Sequence, residues 1–235
     1  MNLSTAQMIA EQFAVAGEVT DVAPHQQGHI NDSFAVTAVS DDGPARYFLQ
    51  RINESIFTDI PGLMENVART CDHLRRQLEQ EGIDPTRRAL RLVKTEDGDH
   101  WLRDKDGEPW RMYHFIEDTA GKDVAEDPAD ARRAARAFGN FLRRMADLPE
   151  PRLNETIPNF HHTPTYLDRL DEAVDADTEG RVADCKAEIL WVAEHRHLVD
   201  RMTELKASGE IPERVTHNDT KLNNVLFDTE TGEAI

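Results

Sequence analysis

Cysteine, aromatic residues and long apolar runs are scarce in this 235-residue chain. Its two cysteines, Cys71 and Cys185, form no paired metal or redox motif, which is typical of a reducing compartment and predicts a cytoplasmic protein. No apolar run approaches the roughly 20 residues that a membrane helix needs. The first residues lack the basic segment followed by an apolar one that marks a secretory signal. These patterns predict neither a membrane partner nor export.

Basic residues are outnumbered by acidic ones, with 27 lysines and arginines against 45 aspartates and glutamates, for a formal net charge of -18. A nucleic acid needs a clustered basic face that releases counterions from its backbone, so this composition argues against a nucleic-acid partner. A mononucleotide remains compatible, because a few local cations and backbone N–H groups suffice to bind its phosphates. The length fits one large domain or two small lobes.

The first half of the chain predicts an antiparallel sheet interrupted by one helix. Short segments of alternating character, separated by turn residues, predict strands at 19–23, 33–39, 46–52, 89–94, 100–103 and 110–116. Between the third and fourth of these, Asp59 and Pro61 begin a helix whose apolar residues recur at helical spacing until Gly82. This half, residues 1–117, is predicted to be an N-terminal lobe built on a sheet.

The second half changes to a helical hydrophobic period. Asp127 and Pro128 begin one helix, Thr163 and Pro164 begin another, and a long helix is predicted over 189–205. Residues 118–235 are therefore predicted to form a helical C-terminal lobe. Strands followed by helices place the chain in the α+β class.

A polar loop in the second half carries the candidate chemistry. Residues 217–224 have the sequence HNDTKLNN, which fits the pattern HxDxxxxN, and residues 225–227 are predicted to form a strand that anchors the loop. Phosphoryl transfer needs a carboxylate to orient and deprotonate a hydroxyl, an amide oxygen to bind Mg²⁺, and a cation near the moving phosphate. Asp219, Asn224 and Lys221 supply these groups in that order.

This loop resembles the catalytic loop of the aminoglycoside phosphotransferase and choline kinase superfamily, whose members are distant relatives of protein kinases. The string THNDTKLNNVLFD is most similar to the bacterial N-acetylhexosamine 1-kinases, and the resemblance extends over nearly the whole chain. It implies a protein-kinase-like bilobal fold, catalytic roles for Asp219 and Lys221, and Mg²⁺ bound by Asn224. The implied reaction is transfer of a phosphoryl group from ATP to the anomeric hydroxyl of N-acetylglucosamine or N-acetylgalactosamine.

The same resemblance implies a nucleotide site in the first half. Residues 28–31 look like the phosphate-covering loop, 47–53 look like the third strand, and 111–117 look like the hinge, where backbone groups meet adenine. The implied cofactor-binding residues are Gly28, His29, Asn31, Gln50, His114 and Ile116. The superfamily usually has a lysine at the position of Gln50, so the phosphate charge is expected to be met mostly by Mg²⁺ and Lys221. Arg51 is expected to point to the other face of the strand.

Several alternatives stay open at this stage. The acceptor could be an aminoglycoside, choline or homoserine, or the chain could be a non-catalytic nucleotide-binding fragment. The resemblance also implies a second metal ligand, an aspartate on the strand that returns after residues 225–227, and the sequence reaches Ile235 before such an aspartate occurs. The chain is therefore expected to be C-terminally truncated and inactive alone, and its oligomeric state is not predicted.

Overall fold

The chain forms two compact units in a computed structural model, which describes residues 3–25 and 30–235. The larger unit comprises Met1–Thr156 and Val215–Ile235, and the smaller one comprises Ile157–Arg214. The larger unit contains the antiparallel sheet and the smaller one is helical, which confirms the predicted α+β class. The lobe boundary proposed at residue 117 is a different division of the chain and stays a prediction.

The larger unit is built on a six-stranded antiparallel sheet, in which β1, β2, β3, β6 and β4 are neighbours in that order and β5 pairs with β6. A separate two-stranded ladder joins β7 to β8. The elements are α1 (Leu3–Ala10), β1 (Glu18–Pro24), β2 (Asp32–Ser40), β3 (Gly43–Arg51), α2 (Ile60–Gln80), β4 (Leu92–Val93), β5 (Leu102–Arg103), β6 (Pro109–His114), β7 (Thr119–Ala120), α3 (Pro128–Met145) and β8 (Phe227–Asp228).

One face of the sheet forms the main core. Successive side chains of a strand point to opposite faces, so Phe34, Leu49 and Trp110 lie together on the buried face. Helix α1 covers this face with Ile9 and the residues around it. The sequence analysis did not predict α1, because an eight-residue helix shows too few turns for a periodic pattern and depends on tertiary packing.

The two long helices begin as the sequence predicts. The Asp59 carboxylate accepts a hydrogen bond from the Gly62 N–H at 2.9 Å at the start of α2, and Asp127 accepts one from the Asp130 N–H at 2.8 Å at the start of α3. Such caps satisfy N–H groups that have no partner within the helix. At the end of α2, Glu81 forms ion pairs with two arginines near the end of α3, Arg143 at 2.8 Å and Arg144 at 2.7 Å.

The smaller unit consists of α4 (Thr163–Ala176), α5 (Lys186–Glu194), a 3-10 turn (Arg196–Leu198) and α6 (Arg201–Ala207). The prediction of one long helix over 189–205 was wrong, because the chain leaves the α conformation at His195 and resumes it only at α6. Trp191, Leu198 and Met202 are exposed, so this stretch has no buried face to sustain a continuous helix. Across the described parts of the chain, no helix is long and apolar enough to cross a membrane.

Candidate active site

The loop at residues 217–224 is anchored by apolar side chains that follow it. Residues Leu222–Asn224 form a 3-10 turn, and Val225 and Phe227 are buried against Ala134 of α3. The predicted strand at 225–227 was displaced by two residues, since β8 begins at Phe227 and pairs with β7. Both burial and pairing therefore hold the chain immediately after the polar loop.

The beginning of the loop is held by aromatic contacts. The ring of His217 lies edge-on to two phenylalanine rings of α3. The ring centroids are 5.2 Å apart for Phe138 and 5.9 Å apart for Phe141. Asn218 has a φ of 63°, a left-handed conformation that asparagine adopts more readily than most residues. Asp219 is therefore preceded by a sharp backbone turn and a fixed ring.

The three residues expected to carry the chemistry lie together. The Asn224 amide donates to Oδ2 of Asp219 at 2.7 Å and to its backbone carbonyl at 2.8 Å, and Lys221 Nζ lies 3.2 Å from the same Oδ2. These contacts, first the hydrogen bond from Asn224 and then Lys221, hold the pKa of Asp219 below its ordinary value. Within the described residues Oδ1 accepts no hydrogen bond, so one oxygen of an ionised, exposed carboxylate is available to an incoming group.

A divalent cation would find one suitable oxygen in this loop, that of the Asn224 amide. The amide nitrogen donates to Asp219, and the amide oxygen Oδ1 has no hydrogen-bond partner in residues 3–25 and 30–235. Over the same ranges no group of three or more histidine, cysteine or acidic side chains could hold a metal. Asn224 Oδ1 fits Mg²⁺, which takes few protein ligands and completes its shell with phosphate and water oxygens.

The nearest downstream carboxylate is already engaged. Asp228 accepts hydrogen bonds from the Thr231 N–H at 2.8 Å and the Thr231 hydroxyl at 2.9 Å, and it pairs with Arg87 at 2.9 Å. These contacts, led by those of Thr231, lower the pKa of Asp228 to about 2. Asp228 thus stabilises the turn that returns the chain from β8, and the predicted turn at residues 229–232 is present, with Gly232 at a φ of 69°.

Gln50 lies in a row of three polar residues on neighbouring strands, on the sheet face opposite the main core. Its Nε2 donates to the Ser33 hydroxyl at 3.1 Å, and its Oε1 accepts from Arg111 Nε at 3.2 Å and Nη2 at 3.0 Å. Arg51 points to the other face, as predicted, and pairs there with Glu108 at 2.9 Å. The sequence analysis missed Arg111, because only the register that places it opposite Gln50 reveals the contact.

The expected hinge residues have different backbone environments. The His114 N–H donates to the Arg91 carbonyl at 2.9 Å, whereas the N–H of Ile116 has no partner in the described ranges. Arg91 also donates to His114 Nδ1 at 2.8 Å. Burial, and then the charges of Arg91 and Arg75, lower the pKa of His114 to about 4, so the ring is neutral at pH 7. Within the described residues, the backbone N–H of Ile116 is therefore available to a ligand, whereas that of His114 is not.

The remaining candidates lie near the loop after β1. Asn31 Oδ1 accepts a hydrogen bond from the Asn53 N–H at 3.1 Å, which ties this loop to the chain just after β3. Gly28 and His29 lie outside the described residues, so their proposed roles at the phosphates stay predictions.

An aromatic cluster on the same sheet face as Gln50 was also missed by the sequence analysis. The rings of His25, Phe48 and Phe115 meet edge to face, with centroid separations of 5.1 Å, 5.9 Å and 6.5 Å. Arg46 lies over Phe115 at 3.9 Å from the ring centroid and pairs with Glu117 at 2.9 Å. The three ring residues are far apart in the sequence, so no local sequence pattern indicates the cluster.

Residues 21–235 match the model of the phosphotransferase enzyme family, APH, and the chain belongs to this family. The fold is similar to that of the spectinomycin phosphotransferase APH(9)-Ia, solved in complex with ADP and spectinomycin. That match has a TM-score of 0.50 and 18% identity, and covers 98% of this chain and 67% of the other. An aminoglycoside phosphotransferase from Alicyclobacillus acidocaldarius subsp. acidocaldarius gives a TM-score of 0.56 at 14% identity, covering 97% of this chain and 64% of the other.

These comparisons confirm the predicted superfamily and its kinase-like fold. The chain spans about two thirds of the length of each solved neighbour, 67% and 64%. At 18% and 14% identity the likeness establishes the fold alone.

Proposed function

We propose that this protein is an ATP-dependent small-molecule kinase in which Asp219 orients and deprotonates the acceptor hydroxyl. The observation that carries this proposal is the Asp219 carboxylate, whose Oδ2 is held by Asn224 and Lys221 while Oδ1 has no partner within the described residues. Membership of the phosphotransferase family supports the reaction class. The ADP in the complex of the spectinomycin phosphotransferase APH(9)-Ia supports an adenine nucleotide as donor.

The chemistry follows from these groups. The acceptor oxygen attacks the γ-phosphorus of ATP, the bond from that phosphorus to the bridging oxygen breaks, and ADP leaves with the electron pair. The hydroxyl proton passes to Asp219, whose lowered pKa keeps it ionised at neutral pH and makes its main contribution the orientation of the hydroxyl.

The neighbouring side chains have distinct roles. Lys221, about half exposed and 3.2 Å from Asp219, places a positive charge beside the transferred phosphoryl group. Asn224 would hold Mg²⁺, which would neutralise negative charge on the phosphate groups during the transfer. In the nucleotide site, the free backbone N–H of Ile116 is a suitable hydrogen-bond donor to adenine.

The acceptor we propose is an N-acetylhexosamine, phosphorylated at its anomeric hydroxyl. This choice rests on the similarity of the string THNDTKLNNVLFD to the bacterial N-acetylhexosamine 1-kinases. A cationic aminoglycoside is the second candidate. The observation that favours it is the net charge of -18, which attracts a polycation and has no comparable effect on a neutral sugar.

The two acceptors are separated by one assay. A version of the chain extended to the length of the solved neighbours is incubated with Mg-ATP and, separately, N-acetylglucosamine, N-acetylgalactosamine, glucose, choline, homoserine and kanamycin, and ADP release and phosphorylated product are measured. We expect a sugar 1-phosphate from the N-acetylated sugars and the highest kcat/KM with them. Product from kanamycin without product from either N-acetylhexosamine would replace the first candidate by the second.

The expectation that this chain is inactive alone is tested in the same assay. Turnover by residues 1–235 at the rate of a version extended to the length of the solved neighbours would refute it. Nucleotide binding without phosphorylation of any acceptor by the extended version would favour the non-catalytic alternative.

A further inference from the structure

The guanidinium of Arg111 is hydrogen-bonded to an uncharged side chain rather than to a carboxylate. It makes two hydrogen bonds to the neutral amide oxygen of Gln50, at 3.2 Å and 3.0 Å. The other side of the Gln50 amide is fixed by Ser33 at 3.1 Å, and the three residues are direct cross-strand neighbours. The guanidinium therefore has a defined orientation, set by a side chain that carries no charge.

This cation has no counterion within the described residues. Arg51, the next residue after Gln50, pairs with Asp32 and Glu108, and Arg103 pairs with Glu54. Arg111, which is half-buried, forms side-chain hydrogen bonds only with Gln50 among the described residues, and it lies over the ring of Tyr113 at 5.3 Å from the centroid. Partial removal of a cation from water costs free energy unless an anion lies beside it. The chain has 45 acidic residues, yet none of those described pairs with Arg111.

The free donors of Arg111 suit a phosphate. A guanidinium has five N–H groups, and Gln50 occupies those on Nε and one side of Nη2, so the Nη1 edge stays available. Planar pairs of N–H donors match two oxygens of a phosphate group. An unpaired arginine whose orientation is fixed by an amide is thus prepared for a phosphate ligand.

The same sheet face offers a surface for a nucleoside base. Phe48 is two residues before Gln50 on β3, so both side chains point the same way and lie about 7 Å apart along the strand. Phe48 belongs to the aromatic cluster with His25 and Phe115. The aromatic cluster and the unpaired guanidinium of Arg111 therefore lie next to each other on one face of the sheet. A nucleotide could place its base against the aromatic cluster and its phosphates at Arg111.

We propose that Arg111, oriented by Gln50, binds the phosphate groups of the nucleotide and replaces the lysine that the superfamily usually has at the position of Gln50. This inference rests on the proposed function, because it assumes that an adenine nucleotide is bound. Arg111 contacts the ligand, whereas Gln50 is a positioning residue that fixes the direction of the guanidinium without neutralising it.

The test compares ADP with adenosine, which lacks phosphates, by calorimetry on the full chain. Arg111→Gln should weaken ADP binding about 10- to 100-fold, the loss typical of hydrogen bonds to charged groups, and should leave adenosine binding unchanged. Arg111→Lys should retain part of the ADP affinity, because the charge remains but the fork of donors is lost. The matched control is Arg51→Gln, which removes an arginine from the other face and should change neither affinity.

Gln50→Glu tests the positioning role without removing either side chain. The new carboxylate would neutralise Arg111, so the affinity for ADP should fall while thermal stability is kept or rises. Unchanged ADP binding in both Arg111→Gln and Gln50→Glu would overturn the role of Arg111 and leave the proposed function intact. Equal losses for ADP and adenosine would show a purely structural role, and a wild-type chain that binds neither ligand would overturn the proposed function itself.

Discussion

Asn224 donates its side-chain amide twice to Asp219, to the carboxylate at 2.7 Å and to the backbone carbonyl at 2.8 Å. The residue expected to bind the metal is thus also the residue that orients the expected base. This double contact closes the loop between its two ends, and it leaves one oxygen on each side chain without a partner in the described residues.

Asp219→Asn should lower kcat by about 10²- to 10⁴-fold in a catalytically competent form, because the neutral amide neither orients the acceptor hydroxyl as the carboxylate does nor accepts its proton. The affinity for ATP should stay within a few-fold of wild type. The control is Asp42→Asn, an exposed residue of the turn between β2 and β3. Near-normal turnover by Asp219→Asn in steady-state assays would remove Asp219 from the catalytic role.

Asn224→Ala should raise the Mg²⁺ concentration needed for half-maximal activity, because it removes the proposed metal oxygen and the 2.7 Å hydrogen bond to Asp219. The neighbouring Asn223→Ala is a matched control, since the Asn223 amide donates to Asp123 at 3.2 Å and, within the described residues, its side chain forms no hydrogen bond with Asp219 or Lys221. Titration of activity with Mg²⁺ distinguishes the two. Equal shifts in both variants would indicate that the 3-10 turn, rather than the amide oxygen, matters.

Trp110→Ala should destabilise the larger unit by about 3–5 kcal/mol, the usual cost of truncating a fully buried tryptophan. Its indole N–H also donates to Asp104 at 2.9 Å, so the variant removes that hydrogen bond from the carboxylate. Trp191→Ala is the control, because Trp191 is 60% exposed, and its effect should stay within about 0.5 kcal/mol. Urea denaturation measures both, and a loss below about 1 kcal/mol for Trp110→Ala would contradict the burial.

Local signals were sufficient for much of the fold. Asp59-x-Pro61 and Asp127-Pro128 specify helix starts through a cap and a preset φ, both of which depend on a few neighbouring residues, and both starts were predicted correctly. The clustering of Asp219 with Asn224 was also expected, because a five-residue loop keeps them close.

Long-range packing accounts for what the sequence did not reveal. The contact of Arg111 with Gln50 depends on the register between β3 and β6, which are separated in the sequence by α2, β4 and β5. The start of β8 at Phe227 depends in the same way on pairing with β7, more than 100 residues earlier. Apolar periodicity over 189–205 predicted one helix, but periodicity does not reveal whether a surface exists to bury it.

The pH dependence of stability offers a last prediction, at His114. Burial and the adjacent Arg91 lower its pKa from 6.5 to about 4, so between these pH values the unfolded chain binds a proton that the folded chain does not. The free energy of unfolding should therefore fall as the pH is lowered from about 6.5 towards 4, and the contribution of His114 is complete above 6.5.

His114→Asn isolates this contribution, because the amide oxygen can accept from Arg91 as Nδ1 does but does not titrate. The variant should lose less stability between pH 7 and pH 5 than the wild type, measured as the urea midpoint at each pH. Glu81 and Asp228 do not confuse the comparison, since their carboxyl pKa values are lowered to about 2 and both stay ionised above pH 5. If the two proteins lose equal stability between pH 7 and pH 5, the His114 ring is not held neutral by its surroundings, and the proposed environment of His114 beside Arg91 is wrong.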